Sequence, residues 1–312
     1  MKKFRPVWTA LLVILGLVAL AGGYLHHRTI AVLQPAGEIG TKERNLIIAC
    51  LLLSTIVVVP VFILLFTIAW RYREGNTRAT YTPDQDGSRA LETVWWLIPA
   101  ALLVVISTIT WRSSYALDPY KQIDTDRPTL HIQVVAMDWK WLFIYPHENI
   151  ARVNAVDVPV GTPVEFDITS DTVMTSFWAP ALGGQMYAMP GMSTHLNLVA
   201  DKAGDYSGVA ANISGKGFAD MKFTVHALPP EAYGDWLRAM HHVPQHLTTA
   251  EYNKLTKPGV ITQPTEAKHG YSSVQPYLYD TIMMKYMTPD VTSVNQTSQQ
   301  KLIVPTHTGD SS

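Results

Sequence analysis

Pro159-Val160-Gly161-Thr162-Pro163-Val164-Glu165-Phe166-Asp167-Ile168 reads as a turn followed by a strand. The Pro and Gly punctuate the chain, and Val164, Phe166 and Ile168 then alternate with Pro163, Glu165 and Asp167, a period of two. The same period recurs in both directions. Leu196 and Leu198 alternate with His195 and Asn197, and Met221, Phe223 and Val225 alternate with Lys222 and Thr224. Strands of this kind, separated by turn residues between Pro128 and Leu228, predict a β-sandwich domain of about 100 residues.

Upstream the pattern changes to long apolar runs. Val7 to Leu25 follows Lys2, Lys3 and Arg5 and ends in Ala19-Leu20-Ala21-Gly22-Gly23, so residues 1–25 read as a signal peptide or an uncleaved signal anchor. Residues 46–70 and 91–111 read as transmembrane helices, carrying Pro60 and Pro99. Trp70, Trp95, Trp96 and Trp111 fall at their ends, as interfacial aromatics do. The connecting loop 71–90 holds Arg71, Arg73, Arg78 and Arg89, which favours the cytoplasm and leaves the sandwich outside.

Downstream of Pro229-Pro230 the period becomes helical over residues 229–288. Tyr233, Trp236, Leu237 and Met240 share one face, Thr248-Thr249-Ala250-Glu251 reads as a capping box, and a further helix is expected from Pro276 to Met287. Residues 289–312 are rich in Ser, Thr and Gln and are expected to be disordered. A net charge of −1 gives no reason to expect a nucleic-acid partner. The one cysteine, Cys50, lies inside an apolar run, which excludes an internal disulfide framework.

Several motifs carry a resemblance. They are Leu91-Glu92-Thr93-Val94-Trp95-Trp96-Leu97-Ile98-Pro99, Met137-Asp138-Trp139-Lys140-Trp141-Leu142-Phe143-Ile144-Tyr145, Thr172-Val173-Met174-Thr175-Ser176-Phe177-Trp178-Ala179-Pro180 and Met186-Tyr187-Ala188-Met189-Pro190-Gly191-Met192. With two spans before a sandwich, they resemble subunit II of the haem-copper terminal oxidases over most of residues 35–228. The resemblance implies a membrane-anchored α+β fold: a helical hairpin, a cupredoxin-like β-sandwich and a short helical C-terminal extension. It also implies where copper ligands would stand. The histidines fall on Thr175 and Phe218, the Cys-x-Glu-x-Cys loop on Ala210, Asn212 and Ser214, and the methionine on Met221. Soft thiolates select copper, and here only Met221 remains a possible ligand. The glutamate position, which the resemblance also associates with a magnesium site, is Asn212, and an amide is a weaker ligand there.

These losses, the Met-Asp-Trp-Lys-Trp stretch and the aromatic extension resemble the quinol branch, the cytochrome bo-type ubiquinol oxidases. That branch oxidises ubiquinol and reduces oxygen to water. The resemblance implies no cofactor or metal in this chain, with haem and copper in a partner catalytic subunit I. Subunits III and IV and membrane lipid are the other expected partners, in a bacterial inner membrane with the C-terminal domain periplasmic. No catalytic residue is expected. Gly23 stands where a lipobox cysteine would be, so no lipid anchor is expected. On residues alone, Glu92 is a carboxylate favoured by a helix N-terminus; the resemblance implies that it marks the mouth of a proton-uptake channel. Trp139 and Trp141 are expected to pack the sandwich against the membrane subunit. His131, His147, His195 and His226 lack ligand spacing and are expected on the surface or in the core. The alternatives are a cytochrome c oxidase subunit II that has lost its copper site, and a membrane-tethered β-sandwich binding module.

Overall fold

The computed structural model describes residues 16, 20, 22–23, 30–74, 76, 87–123, 125, 127–261 and 269–287. Most of residues 1–25, the position of Arg78 and residues 289–312, where disorder is expected, lie outside the described residues, as does most of the 71–90 loop. Two helices long and apolar enough to cross a membrane come first: α1 (Glu38–Arg71) and α2 (Arg89–Ala116). At 1.5 Å per residue they extend roughly 50 and 40 Å, beyond the ~30 Å of a hydrocarbon core. Pro60 and Pro99 sit inside them.

The sandwich is fastened to one end of this hairpin. Ala36 N–H donates to the Ala181 carbonyl at 2.7 Å, Gly40 N–H to that of Leu182 at 3.0 Å, and Asp201 N–H to that of Ala36 at 2.8 Å. Glu43 accepts from Gly184 N–H at 2.9 Å. Gly37 must be glycine, because a Cβ there would stand 2.2 Å from the Val199 carbonyl oxygen. Past the other helix, the backbone N–H and side-chain amide of Asn197 both donate to Pro119 O, each at 3.1 Å.

One sheet has the order β11-β3-β2-β1-β5-β8: Gly270–Tyr271, Ile150–Val153, Lys140–Tyr145, Leu130–Met137, Pro163–Ser170 and Thr194–Val199. The other has the order β4-β10-β9-β6-β7: Ala155–Pro159, Lys222–Leu228, Gly204–Ala210, Thr175–Ala179 and Gly183–Ala188. The expected fold class is borne out. Period two fills the space between the sheets with Ile132, Val134, Val164, Phe166, Ile168, Leu196, Leu198, Phe223 and Val225. At its centre Phe177 and Phe223 stack at 4.6 Å, with Trp141 edge-on to both.

The extension forms a third layer. Helix α3 (Pro230–His241) turns Trp236 and Met240 into the sandwich core, where Trp236 meets Tyr145. Helices α4 (Thr249–Leu255) and α5 (Leu278–Met287) cover the outer face of the first sheet, burying Tyr252, Leu278, Tyr279 and Ile282 against Val135, Met137, Leu142 and Ile144. Thr248 caps α4 by accepting from Glu251 N–H at 3.3 Å. Buried Asp171, just after β5, ties both helices down. It accepts from Tyr252 OH at 2.8 Å, Lys285 Nζ at 2.8 Å and Tyr286 OH at 3.0 Å. Lys140 Nζ donates to the carbonyls of Leu255 and Lys257 at the end of α4, and its burial lowers its pKa.

Candidate functional site

Two places follow from the sequence: the loop after β9 and the start of α2. At the first, backbone hydrogen bonds gather the positions where copper ligands would stand. Ala211 N–H donates to Ser176 O at 3.0 Å, joining the end of β9 to the start of β6, and Ala210 N–H donates to Met221 O at 3.1 Å. Thr175, Ala210 and Met221 are all buried. Asn212 spends its amide on Met174 O at 3.2 Å. The hydroxyls of Thr175, Ser176 and Ser214 are buried without a hydrogen-bond partner. At the positions where ligands would stand the donors are therefore two neutral hydroxyls, one engaged amide and one thioether buried in the core. None is a thiolate or imidazole, so these residues do not fit a copper centre.

Trp139 closes this loop. It lies in the turn between β1 and β2 at φ 63°, an uncommon left-handed conformation for a bulky residue. Its Nε1–H donates to Ser214 O at 3.2 Å, and its ring lies so close over Gly217 that a Cβ there would stand 2.3 Å from it. The expectation for the two tryptophans is corrected at Trp141. Trp141 is wholly buried between the two sheets and presents no ring to a neighbouring subunit, while Trp139 packs on the chain's own loop and stays partly exposed.

Glu92 is exposed in the first turn of α2, the end remote from the sandwich. Its N–H bonds to Ser88 O at 2.9 Å, and its carboxylate bends back until a Cβ on Gly87 would meet Oε1 at 2.7 Å. The acid thus sits in the first turn of the helix, where the dipole favours an anion. Between Glu92 and Ala116, α2 rises about 36 Å, more than the hydrocarbon core. A bilayer crossed by this helix therefore has the sandwich on one face and Glu92 on the other. Leu91, Trp95 and Trp96 beside it are exposed, as are Trp111 and Tyr115 at the far end. The aromatics thus form two belts.

The histidines are less scattered than their spacing suggested. His131 and His147 rings lie 5.9 Å apart, and His131 and His195 both approach Glu165. Period two already put Glu165 and Asp167 on one face of β5. What the sequence lacked was the register that lays β1 and β8 on either side. Asp171 was also missed, and nothing in its local sequence marks it as the anchor of an extension about 80 to 115 residues away.

Comparison with known proteins agrees with this architecture. The family model for the transmembrane domain of cytochrome c oxidase subunit II matches residues 33–112, that for its periplasmic domain matches 104–228, and the COX aromatic rich motif matches 242–290. The cytochrome bo(3) ubiquinol oxidase subunit 2 of Pseudomonas aeruginosa is 44% identical over 81% of this chain and 75% of its own length. That of Pseudomonas putida is 41% identical over 91% and 88%, and the ubiquinol oxidase subunit 2 of Acetobacter aceti 40% over 82% of each.

Proposed function

Because the chain belongs to the subunit II family of the haem-copper oxidases, in its ubiquinol oxidase branch, we propose that it serves as the non-redox anchor and proton-uptake element of its complex. It is a membrane-anchored subunit of an oxygen-reducing ubiquinol oxidase, partnered with catalytic subunit I. In this reading haem and copper reside in that partner, and this chain holds neither. The observation that carries it is the loop after β9, closed by Trp139 and supplied with hydroxyls in place of thiolates. Ubiquinol dissolves in the membrane and can meet the catalytic subunit there, so no copper relay is needed on the outer side. The sandwich and extension cap the outer face of the catalytic subunit in the periplasm, the hairpin packs along it in the inner membrane, and subunits III and IV complete the assembly.

Glu92 supplies the proton function. A carboxylate exposed at the inner membrane surface can collect a proton and pass it through water to the catalytic subunit. Protons taken up there feed oxygen reduction and outward pumping. The test is Glu92→Gln in the purified complex, which keeps shape but cannot ionise. Haem content should equal the parent's, while ubiquinol oxidase turnover falls several-fold; Glu92→Asp should restore part of it. Parental turnover in a fully assembled Gln complex would refute the proton role. Copper counted in the same preparation should equal the catalytic subunit's share, and a near-infrared band from a binuclear copper site would refute the non-redox reading.

A further inference from the structure

The alternation that buries Val164, Phe166 and Ile168 turns Glu165 and Asp167 together onto the outer face of β5. Register then sets an imidazole beside each. His131 of β1 pairs with Glu165, and His195 of β8 pairs with Asp167. His195 Nδ1 lies 2.6 Å from Asp167 Oδ1 and 3.7 Å from Glu165 Oε1. His131 Nδ1 lies 3.3 Å from Glu165 Oε2. One ligand atom each from Glu165, Asp167 and His195 can be chosen so that all lie within 4.8 Å of one another.

From this convergence we infer that Glu165, Asp167 and His195, completed by His131, form a binding site for zinc(II) or a cation of the same class. Charge is the first argument. Two carboxylates held two residues apart on one strand repel, and a single N–H on Nδ1 of His195 satisfies one of them well. A dication between two carboxylates and two neutral imidazoles leaves the group electrically balanced. Donor chemistry is the second. Imidazole nitrogen and carboxylate oxygen without thiolate are the donors zinc accepts in four-coordinate sites. Metal bonds of about 2.0–2.2 Å would space tetrahedral ligands roughly 3.3 Å apart. The imidazole-to-carboxylate separations here run from 2.6 to 3.7 Å. The Glu165, Asp167 and His195 donors would draw together from within 4.8 Å, and His131 would swing in from its place beside Glu165.

Rigidity is the third argument. All four donors stand on three strands hydrogen-bonded side by side, so little ordering remains to be done when the ion arrives. The site is part-buried yet reachable, with the two imidazoles about 40% exposed and the carboxylates half that or slightly more. Its surroundings give it a structural role. On one side Tyr120, in the stretch leaving α2, stands edge-on to the His195 ring at 5.5 Å. On the other, Ser193, which directly precedes β8, hydrogen-bonds Tyr279 of α5 at 2.9 Å. A bound ion would fix β8 to β5 and β1 between the membrane linker and the extension. This inference stands on residues apart from the copper loop and Glu92, and it holds or fails independently of the proton role.

The test uses the whole complex, stripped with a chelator, exposed to a small excess of Zn²⁺, desalted and counted for metal. The parent should retain one zinc more per complex than Asp167→Asn or His195→Gln, and His131→Ala should weaken retention about tenfold. X-ray absorption of the parent's additional zinc should give a nitrogen and oxygen shell without sulfur. Haem content and turnover before zinc addition, expected to match the parent, verify that the variants are assembled. Equal zinc counts in parent and both variants would overturn the site, as would a sulfur-containing shell. Should either variant fail to assemble, the parent's thermal unfolding decides: zinc must raise the midpoint of the outer domain, and no shift overturns the inference.

Discussion

In the 34 residues of α1 only Gly40 is buried, and in α2 no residue is, whereas every residue of β2 is buried on both faces of its sheet. The hairpin exposes Leu, Val, Ile, Phe and Trp along its whole length. Its backbone is satisfied internally, as a bilayer demands, but its side chains are completed only by lipid and a neighbouring subunit. The sandwich satisfies itself twice, once between its sheets and again beneath the extension. One chain therefore contains an autonomous body and a dependent anchor. Conservative surgery on one should leave the other untouched.

The sharpest way to break that contrast is to separate the parts. Among the described residues of the inner core, only Ala36 and half-buried Ile39 come from outside residues 128–288. A fragment of 128–288 should fold as a soluble, colourless, β-rich protein with one cooperative urea transition, while the hairpin alone should require detergent. A fragment that shows no cooperative transition would mean that the sandwich, too, depends on its anchor.

Asp171 tests whether the outer layer belongs to the autonomous body. Asp171→Ala leaves buried Tyr252 without its acceptor, releases Lys285, and leaves Tyr286 only its bond to the backbone carbonyl of residue 171. Lys285 is more than half exposed and re-solvates, so the cost is that of an unsatisfied buried hydroxyl, about 1–3 kcal/mol. The fragment's urea midpoint should fall accordingly, with α4 and α5 gaining hydrogen exchange first. pH gives a second handle on the same layer. Burial, joined by Asp171, holds the Tyr252 phenol well above its usual range; burial also raises Tyr279, and lifts Tyr271 to about 12. The hydrogen bond to Asp171 raises Lys285 in the same direction. Each group keeps its proton longer folded than unfolded. Their contributions are thus intact below the ordinary tyrosine value of about 10 and drain away as pH rises beyond it. Urea midpoints at pH 8, 10 and 11 should decline in that order, most steeply at the top. A flat profile would show that these phenols are solvated.

Legibility in the sequence follows the same division. The hairpin could be read because a bilayer asks only for apolar length, which is a local property. The two inner faces could be read because period two is local as well, from Val164 to Val225. Partnerships set by register or by distant packing could not. Trp139 lies in a stretch that resembles an aromatic strand, yet a turn sends its ring onto Gly215 and Gly217. His131 and His195 are separated by more than sixty positions and meet only because β1 and β8 flank β5. The start of α2 lies between these cases. Glu92 is legible by its place at the helix entrance, and its geometry adds that its carboxylate folds back toward Gly87.

The smallest effect comes from the one local signal in the outer layer. Thr248 closes α4 through its hydroxyl, which accepts from Glu251 N–H, and Glu251 in turn pairs with Lys254 at 2.8 Å on the exposed side. Thr248→Ala removes the cap and leaves an orphan amide at a helix of only seven residues. The loss should be about 1 kcal/mol, with Thr248→Ser close to the parent. Because α4 also delivers Tyr252 to Asp171, the cap and the buried carboxylate serve one element, and their effects should not add. In the Asp171→Ala background α4 is already loosened, so the further loss on removing Thr248 should shrink below that seen alone. A double-mutant cycle in urea measures this coupling. Full additivity would mean that α4 holds its place through Lys140 and the outer sheet face, independently of the contact at Asp171.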